Sequence, residues 1–483
     1  MRHVLPLLLC FVAFTCETFS AQPNIVYILC DDLGYGDVHC LNPERGKIAT
    51  PQMDRMAAQG MVFTDAHSSS SVCTPTRYGI LTGRYNWRTH LQKGVLLGYS
   101  EPLIAPDRLT VPALLKKHGY TTACIGKWHL GMGLTEGEVP PVIADGPITR
   151  GFDSYFGISA SLDMPPFAFI DQDRFTEPLT AIKKWQREGP AGETFEAIDA
   201  LPTLTTKAVE YIKKQSSVGT PFFLYVPLTA PHTPIVPSPE WQGKSSLGAY
   251  GDFVMETDWA IGQVLDALDA GGIGANTLFI LTSDNGCSKA ADIPELQAQG
   301  HYPSGDLRGS KADIFDGGHR VPFLARWPDR VKAGSRNGQT ICLTDLMATC
   351  AEIVEATLPA DVGEDSVSFL PALLGTDSAP LRQTVVHHSI NGSFAIRQGH
   401  WKLELCAGSG GWSDPKPGSK EEKGLPETQL YDLAADLGET TNLASARPEI
   451  VAELTAALEE IIRESRSTPG PEQANDATIV IRK

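Results

Sequence analysis

The sequence predicts an α/β fold in which a large, mostly parallel (mixed) sheet is sandwiched by helices, followed by a smaller C-terminal α+β subdomain. Three observations support this prediction. Four apolar, strand-length segments end at polar clusters, helical segments lie between them, and shorter strand-like segments with a final amphipathic helix come only late in the chain. Uninterrupted apolar strands are typical of a parallel sheet that is buried on both faces.

Each of the four apolar segments leads into polar side chains. The predicted strands and the side chains that follow them are residues 25–30 with Asp31 and Asp32, 121–126 with Lys127 and His129, 222–226 with His232, and 278–282 with Asp284 and Asn285. In open α/β sheets, ligands bind at the carboxyl ends of the strands. The four segments therefore predict one site at one edge of the sheet.

The remaining segments divide the chain into a catalytic α/β domain, residues 22–343, and a C-terminal subdomain, residues 344–483. Helices are predicted at 54–59, 111–118, 205–214, 253–269, 346–355 and 448–463, short antiparallel strands at 383–387, 393–396 and 401–405, and a hydrophilic loop at 407–428. Residues 133–221 show little periodicity and, outside the helix at 205–214, are predicted to form a lid or binding loop. Core packing is the expected fate of most aromatic residues there, with stacking on a sugar as the alternative: Phe152, Tyr155, Phe156, Phe167 and Phe169.

The carboxylates and the amide at the predicted edge suit a hard divalent cation. Calcium prefers oxygen ligands, including carboxylates and amide carbonyls, whereas zinc prefers histidine and cysteine. The four candidate ligands are Asp31, Asp32, Asp284 and Asn285. A zinc-binding Asp-x-x-His at Asp316 and His319 is the weaker alternative, because the sequence there is more typical of a turn into a buried strand.

Cys73 begins the segment Cys-x-Pro-x-Arg at the start of a predicted helix. Proline in a first helical turn costs no hydrogen bond, and the free amides there favour negative charge. Arg77 follows one turn later, where it can orient a group carried by residue 73. A thiolate phosphatase would need arginine six residues after the cysteine, where this chain has Gly79.

Composition excludes some classes of protein. The 483 residues carry a formal net charge of −17, which argues against nucleic-acid binding. Residues 1–21 have the pattern of a signal peptide, so a secreted or periplasmic location is expected, and no later segment is apolar enough for stable membrane insertion. Two of the ten cysteines lie in this leader; the others show no Cys-x-x-Cys pair and leave room for one disulfide of undetermined pairing.

Several motifs together resemble the type I formylglycine-dependent sulfatases, the arylsulfatase family of the alkaline phosphatase superfamily. The similarity covers nearly the whole chain after the leader, in register. The motifs are the Cys73 segment through Arg84, Asn24 to Asp37, Gly126 to Gly131, Ala230 to Pro234, Ser283 to Gly286, Arg308 to Lys311, and Leu430 to Leu433 with Asn442 to Ala444.

The resemblance implies a role for each matching residue. Cys73 would be oxidised to Cα-formylglycine by a formylglycine-generating or sulfatase-maturating enzyme, and its hydrate would attack sulfur and form a covalent sulfo-enzyme intermediate. One calcium ion would be held by Asp31, Asp32, Asp284, Asn285 and residue 73. The implied catalytic and substrate-binding roles are Arg77 holding the hydrate, Lys127 and Lys311 gripping sulfate, His232 protonating the leaving alcohol, His129 acting as the later base, and Ser161, with Ser159 as its alternative, touching sulfate.

The expected activity is therefore hydrolysis of sulfate esters. A sulfated glycan is the expected substrate, because residues 157–166 resemble those of carbohydrate-active sulfatases and the sequence lacks the apolar hairpin of steroid sulfatases. A phosphate ester or phosphonate hydrolase using the same aldehyde is the alternative within the superfamily. A catalytically inactive glycan-binding relative is the alternative from another class. It would require the loss of a nucleophile, lysine or metal ligand, and each of those residues is present.

Overall fold

The computed structural model describes residues 22–135 and 142–482. The predicted leader, residues 1–21, lies outside this range. Within it, no helix combines the length and the apolar character that a membrane span requires.

Strands and helices alternate through the first two thirds of the chain. The strands are β1 Asn24–Cys30, β2 Met61–Phe63, β3 Ala66–His67, β4 Thr121–Lys127, β5 Ser154–Ile158, β6 Ile170–Asp171, β7 Arg174–Phe175, β8 Ala181–Trp185, β9 Arg187–Ala191, β10 Phe222–Pro227, β11 Thr277–Ser283, β12 Phe323–Arg326, β13 Ser335–Asn337, β14 Ile341–Cys342, β15 Thr384–His388, β16 Phe394–Gln398, β17 Trp401–Glu404 and β18 Gln429–Asp432. The α-helices are α1 Pro51–Gln59, α2 Cys73–Thr82, α3 Val111–Lys117, α4 Ala200–Gln215, α5 Gly248–Ala270, α6 Ile293–Ala298, α7 Asp316–His319, α8 Leu346–Ile353, α9 Leu370–Leu374 and α10 Pro448–Arg463.

A mixed sheet of ten strands forms the centre of the protein, in the order β13-β2-β12-β11-β1-β10-β4-β5-β6-β7. Its central strands β11, β1, β10 and β4 are parallel, as predicted, and β5, which was not predicted, pairs in parallel with β4. Along β1, Ile25, Tyr27 and Leu29 enter one apolar core and Val26 and Ile28 enter the other. Helices α2, α3 and α8 cover the first face, and α1, α4 and α5 cover the second. Burial on both faces explains why these strands are apolar without alternation.

The C-terminal part forms a four-stranded antiparallel sheet, β15-β16-β17-β18, with α10 packed against it. This confirms the predicted α+β subdomain. Leu454, Leu458 and Ile461 of α10 meet the sheet in a third apolar core. Helices α8 and α9 follow residue 343 but pack into the first core of the large unit. The division at 343/344 stays a prediction.

Residues 133–221 contain more regular structure than predicted. Besides α4, the described part forms β5 to β7 at the edge of the large sheet and the separate hairpin of β8 and β9. Three of the aromatic residues that were weighed for sugar stacking, Phe152, Tyr155 and Phe167, are buried. Phe156 and Phe169 are half-buried and stack on each other, with ring centroids 5.2 Å apart. Core packing, the favoured alternative, is therefore what the structure shows.

The eight cysteines in the described residues, Cys30 to Cys406, are all free thiols. The single disulfide for which the sequence left room is therefore absent from this part of the chain.

A buried ion pair joins the segment after α2 to the loop after α8. Arg88 and Asp365 are both buried and form two hydrogen bonds, Nε–Oδ2 at 2.8 Å and Nη2–Oδ1 at 2.7 Å. Asp365 also accepts the backbone N–H of Tyr85 at 2.8 Å. Burial raises the pKa of Asp365, but the charge and hydrogen bonds of Arg88 outweigh it and lower the pKa below its ordinary value.

We expect Asp365→Asn to lower the free energy of unfolding by about 3 kcal/mol or more, because it leaves a buried guanidinium without its counter-charge. Asp476→Asn is the matched control: Asp476 also binds a buried arginine, Arg84, but its side chain is 53% exposed, so a loss below about 1 kcal/mol is expected. Urea unfolding measures both. Because the pKa of Asp365 is lower in the folded than in the unfolded protein, the free energy of unfolding should contain the full contribution of this carboxylate above about pH 4. That contribution should decline as the pH falls further. Equal losses in the two variants would contradict the assignment.

Candidate active site

The carboxyl ends of β1, β4, β10 and β11 bring the predicted polar side chains together at one edge of the sheet. Lys127 donates to Asp31 Oδ2 at 2.7 Å, and the backbone N–H of Asp32 donates to Asp284 Oδ1 at 3.2 Å. Asn285 Nδ2 donates to Asp32 Oδ1 at 2.7 Å. All five side chains are buried. Parallel strand direction is what gathers residues that lie up to 254 positions apart in the sequence.

The four candidate metal ligands form an oxygen-rich cluster. Burial and the neighbouring Asp31 carboxylate raise the pKa of Asp284 to about 7. Burial would also raise the pKa of Asp31, but Lys127, His232 and Arg77 outweigh it and hold that pKa well below its ordinary value. Asp31 Oδ1 and Asn285 Oδ1 are buried and accept no hydrogen bond from the described residues. Two such free oxygens beside two further carboxylates are a donor set that fits a hard cation.

Cys73 is the first residue of α2, as predicted, and every residue of this helix is buried. Pro75 occupies the first turn. Burial raises the pKa of the Cys73 thiol even though Lys127 and Lys311 act in the opposite direction. Residue 73 is therefore a protonated thiol at neutral pH, which does not suit a thiolate nucleophile.

Arg77 lies one turn after Cys73 and is fully buried. Its Nε and Nη2 donate to Asp284 Oδ2 at 3.0 and 2.8 Å, and its Nη1 donates to the Lys127 carbonyl at 3.0 Å. The arginine thus fixes one candidate metal ligand and the end of β4. Its predicted contact with a hydrate on residue 73 stays a prediction.

Lys127 and Lys311 are both buried, which rules out the ordinary solvated surface position for a lysine. Lys311 contacts Asp32, with Nζ 2.6 Å from Oδ1. Burial lowers the pKa of Lys311, but Asp32 and the other acidic groups outweigh it and raise the pKa above its ordinary value. The two ammonium groups, each paired with a carboxylate, bring positive charge into this pocket in a protein of strongly negative net charge.

Two histidines face this pocket with different hydrogen bonds. His129 Nε2 lies 2.7 Å from the Leu96 carbonyl, so that nitrogen carries the proton, and the buried Nδ1 has no partner among the described residues. Burial, Lys127 and Arg77 hold the pKa of His129 well below its ordinary value. A neutral imidazole with a free acceptor nitrogen can accept a proton.

His232 presents its other nitrogen to the site. Its Nδ1 lies 2.7 Å from the Thr233 carbonyl, and its Nε2 lies 3.7 Å from Asp32 Oδ2. Burial and Lys311 lower the pKa of His232, while Asp32 opposes the shift. A bound anion beside Nε2 would favour the protonated form.

Ser159 and Ser161 both have buried hydroxyls that make no hydrogen bond to the described residues. The Ser159 carbonyl accepts the backbone N–H of His129 at 2.9 Å, which places this segment against the site. Buried hydroxyls normally have a partner, so both are open to a ligand. Geometry does not select between the predicted Ser161 and its alternative Ser159.

Three of the nine non-glycine residues with positive φ in the described chain lie at this site. Asp32, His129 and Ala312, which follows Lys311, have φ angles of 67°, 56° and 81°. Non-glycine residues seldom adopt positive φ, and such residues cluster at functional sites. Sequence reasoning had no signal for this strain, nor for Thr74, whose Oγ1 accepts the Leu96 N–H at 3.2 Å and so positions the carbonyl that holds His129.

The alternative zinc motif lies in a different cluster. Asp316 and His319 are the first and last residues of the short helix α7, which leads into β12. Asp316 Oδ1 pairs with Lys402 at 2.9 Å. His319 lies beside His67 and His387, but its ring stacks on His387 with centroids 3.7 Å apart and planes at 12°. Nitrogen lone pairs in parallel planes do not converge on one ion, so this geometry does not favour zinc here.

Comparisons with known proteins agree with this arrangement. Residues 23–356 match the family model described as Sulfatase. An N-acetylgalactosamine-6-O-sulfatase of Bacteroides thetaiotaomicron is 34% identical and aligns over 92% of this chain and 93% of its own length. Arylsulfatase A of Bos taurus is 32% identical over 92% of this chain and 87% of its own. A solved structure from work on glycosaminoglycan metabolism by Bacteroides thetaiotaomicron superimposes with a TM-score of 0.81 at 33% identity, covering 92% of this chain and 99% of that one.

Proposed function

This chain belongs to the sulfatase family, and we propose that it removes sulfate from a sulfated glycan outside the cytoplasm, using a formylglycine made from Cys73. The observation that carries the proposal is that two buried lysines, Lys127 and Lys311, lie close enough to Cys73 for their charges to act on its thiol, in a protein of net charge −17. Two cations close to residue 73 favour the binding of an anionic group there. The predicted leader supports a substrate outside the cytoplasm.

The nucleophile requires a change in residue 73. The buried thiol is protonated, so the thiol itself is a poor nucleophile. Conversion by a maturation enzyme would replace the sulfur with a carbonyl oxygen, and the hydrated aldehyde would supply a hydroxyl as nucleophile. Arg77, one turn along α2, would orient that group.

The surrounding side chains supply the rest of the chemistry. Lys127 and Lys311 bind the sulfate oxygens and oppose the negative charge that develops in the transition state.

Two histidines transfer the protons. His232 delivers a proton from Nε2 to the leaving sugar oxygen, because its Nδ1 is held by the Thr233 carbonyl. His129 accepts a proton at its free Nδ1 from a hydroxyl on residue 73. Ser161 or Ser159 donates a further hydrogen bond to sulfate.

Asp31, Asp32, Asp284 and Asn285 would hold one calcium ion. Their oxygen atoms are the ligand type that calcium prefers, and two of them, Asp31 Oδ1 and Asn285 Oδ1, accept no hydrogen bond from the described residues. Bound there, the ion would polarise the sulfate and stabilise its charge.

A substrate panel tests the function. We expect converted enzyme to release sulfate from defined sulfated oligosaccharides with a higher kcat/KM than from small aryl sulfates, which lack the sugar contacts. N-Acetylgalactosamine 6-sulfate is the first sugar to try, since the Bacteroides relative is named for it. Sulfate release is followed by ion chromatography. Aryl sulfates outperforming every glycan would overturn the glycan assignment, and phosphate diesters or phosphonates outperforming both would establish the alternative hydrolase.

A further inference from the structure

Trp412 is an exposed aromatic residue that has no role in the proposed hydrolysis of the sulfate ester. Its side chain is 38% exposed, and it is the only aromatic residue among the exposed large hydrophobic residues of the described chain. It lies in the loop 407–428, which joins β17 to β18. An exposed indole offers a large, rigid apolar face on which a ligand can stack.

The loop is fastened to the segment that carries Lys311. The backbone N–H groups of Trp412 and Ser413 both donate to Asp313 Oδ1, at 2.8 and 2.9 Å. Asp313 is buried two residues after Lys311, and its Oδ2 accepts the Ser310 N–H at 2.9 Å. A Cβ at Gly411 would overlap the Ala312 carbonyl oxygen, so the two backbones are in direct contact. Trp412 is thereby held in a fixed place.

A second contact ties Trp412 to the other side of the site. Lys289 Nζ donates to the Trp412 carbonyl. Lys289 comes four residues after Asn285, one of the candidate metal ligands. Trp412 therefore bridges the segments that carry Lys311 and Asn285. The side chains of Lys311 and Asn285 are buried, whereas Trp412 is exposed, so Trp412 lies at the exposed edge, or rim, of the segments that carry them.

A cavity of about 640 Å³ adjoins this rim. Its lining includes Lys289, Gln297, Arg308, Ser413 and Asp414. Arg308 is fixed, because its guanidinium packs over Phe315 at 3.8 Å from the ring centroid. Two cations, Lys289 and Arg308, outnumber the single carboxylate of Asp414 in this lining, which favours a sugar that carries an acidic substituent.

We propose that Trp412 is the stacking platform for the sugar next to the sulfated one, with the adjoining cavity receiving an acidic substituent of that sugar. This inference rests on the proposed function, since it names the substrate's second unit at the same site. The sulfate binds beside two buried lysines, so the rest of the glycan must extend from there to the exposed rim. Trp412 lies at this rim and can therefore contact the neighbouring sugar. An indole face offers a large, rigid apolar surface to a pyranose ring.

Trp412→Ala tests the platform with two substrates that differ only in the neighbouring sugar. For a sulfated oligosaccharide we expect KM to rise about ten-fold, the scale of one lost aromatic contact. For the corresponding sulfated monosaccharide, KM and kcat should stay within about two-fold of the unmodified enzyme, and this activity also proves that the variant folds. Trp412→Phe should recover most of the oligosaccharide KM.

Leu425→Ala is the matched control. Leu425 lies in the same loop with 39% exposure, but it lines a different cavity, so its removal should change neither substrate's KM. Lys289→Met should raise KM more for an oligosaccharide with an acidic neighbour than for one with a neutral neighbour, since Lys289 also donates to the Trp412 carbonyl and its loss affects both. Equal effects on the two neighbours would overturn the acidic assignment.

The outcomes separate this inference from the proposed function. An unmodified, converted enzyme that releases no sulfate from any glycan would overturn the proposed function itself. An active enzyme whose Trp412→Ala variant has the normal oligosaccharide KM, or loses oligosaccharide and monosaccharide activity equally, would overturn only the role of Trp412.

Discussion

Cys73→Ala is expected to abolish sulfate release, with kcat falling at least about 10⁴-fold, the scale on which enzymes lose activity when a nucleophile is removed. The helix and its surroundings remain intact in this variant, because alanine is a good helix former and Cys73 makes no hydrogen bond that the fold depends on. The lysines, histidines and carboxylates stay in place. Loss of activity with an unchanged melting temperature would therefore assign residue 73 to the chemistry.

Mass spectrometry of the peptide containing residue 73 checks the chemical form. Active protein should show loss of sulfur and gain of a carbonyl oxygen at this position, and protein made without a maturation enzyme should retain the thiol and be inactive. Cys350→Ala is the matched control, because Cys350 is an equally buried free thiol in α8, in the first core. This variant should keep full activity. Full activity in protein that still carries the Cys73 thiol would exclude the aldehyde nucleophile.

The parts of the fold that the sequence predicted are those in which local pattern and tertiary burial agree. The strand β1 is apolar from Ile25 to Cys30 because both faces of the sheet are covered, and α10 was predicted with its bounds unchanged because Leu454 and Leu458 repeat with helical spacing. The hairpin of β8 and β9 was missed. Its turn is made by Gln186 at a φ of 70°, without the glycine or asparagine that usually signals a hairpin.

Some residues of the candidate site were also predicted from the sequence, and others were missed. Side chains at strand ends were found because strand direction alone brings them to one edge, as for Asp31 and Lys127. Contacts made by long side chains or by docked loops carry no such pattern. Arg77 reaches Asp284, 207 residues away in sequence, and Trp412 lies in a segment that composition marks only as hydrophilic. Its place at the rim depends on Asp313, which no periodicity connects to the loop.

Chelation is expected to remove activity and stability together, and calcium to restore both. Asp31, Asp32 and Asp284 are three buried carboxylates in one cluster, and burial with the Asp31 charge already raises the pKa of Asp284 to about 7. A cation bound to the folded state alone would relieve this repulsion and add about 2.7 kcal/mol when its concentration is 100 times Kd. Dialysis against a chelator should therefore lower the melting temperature, and added calcium should raise it again in proportion to the logarithm of its concentration.

Asp284→Asn and Asp258→Asn form a matched pair that assigns the effect to this cluster. Burial raises the pKa of Asp258 to about 7 as well, but that side chain only accepts the backbone N–H groups of Gln52 and Met53 at the start of α1. We expect Asp284→Asn to weaken calcium binding more than about 100-fold, because it removes a charged ligand outright, and to lose the calcium-dependent shift in melting temperature. Asp258→Asn should keep the shift and the activity, since an uncharged side chain already suits that position. Elemental analysis of active enzyme that found stoichiometric zinc, without calcium or magnesium, would show that the oxygen ligands had been assigned to the wrong ion.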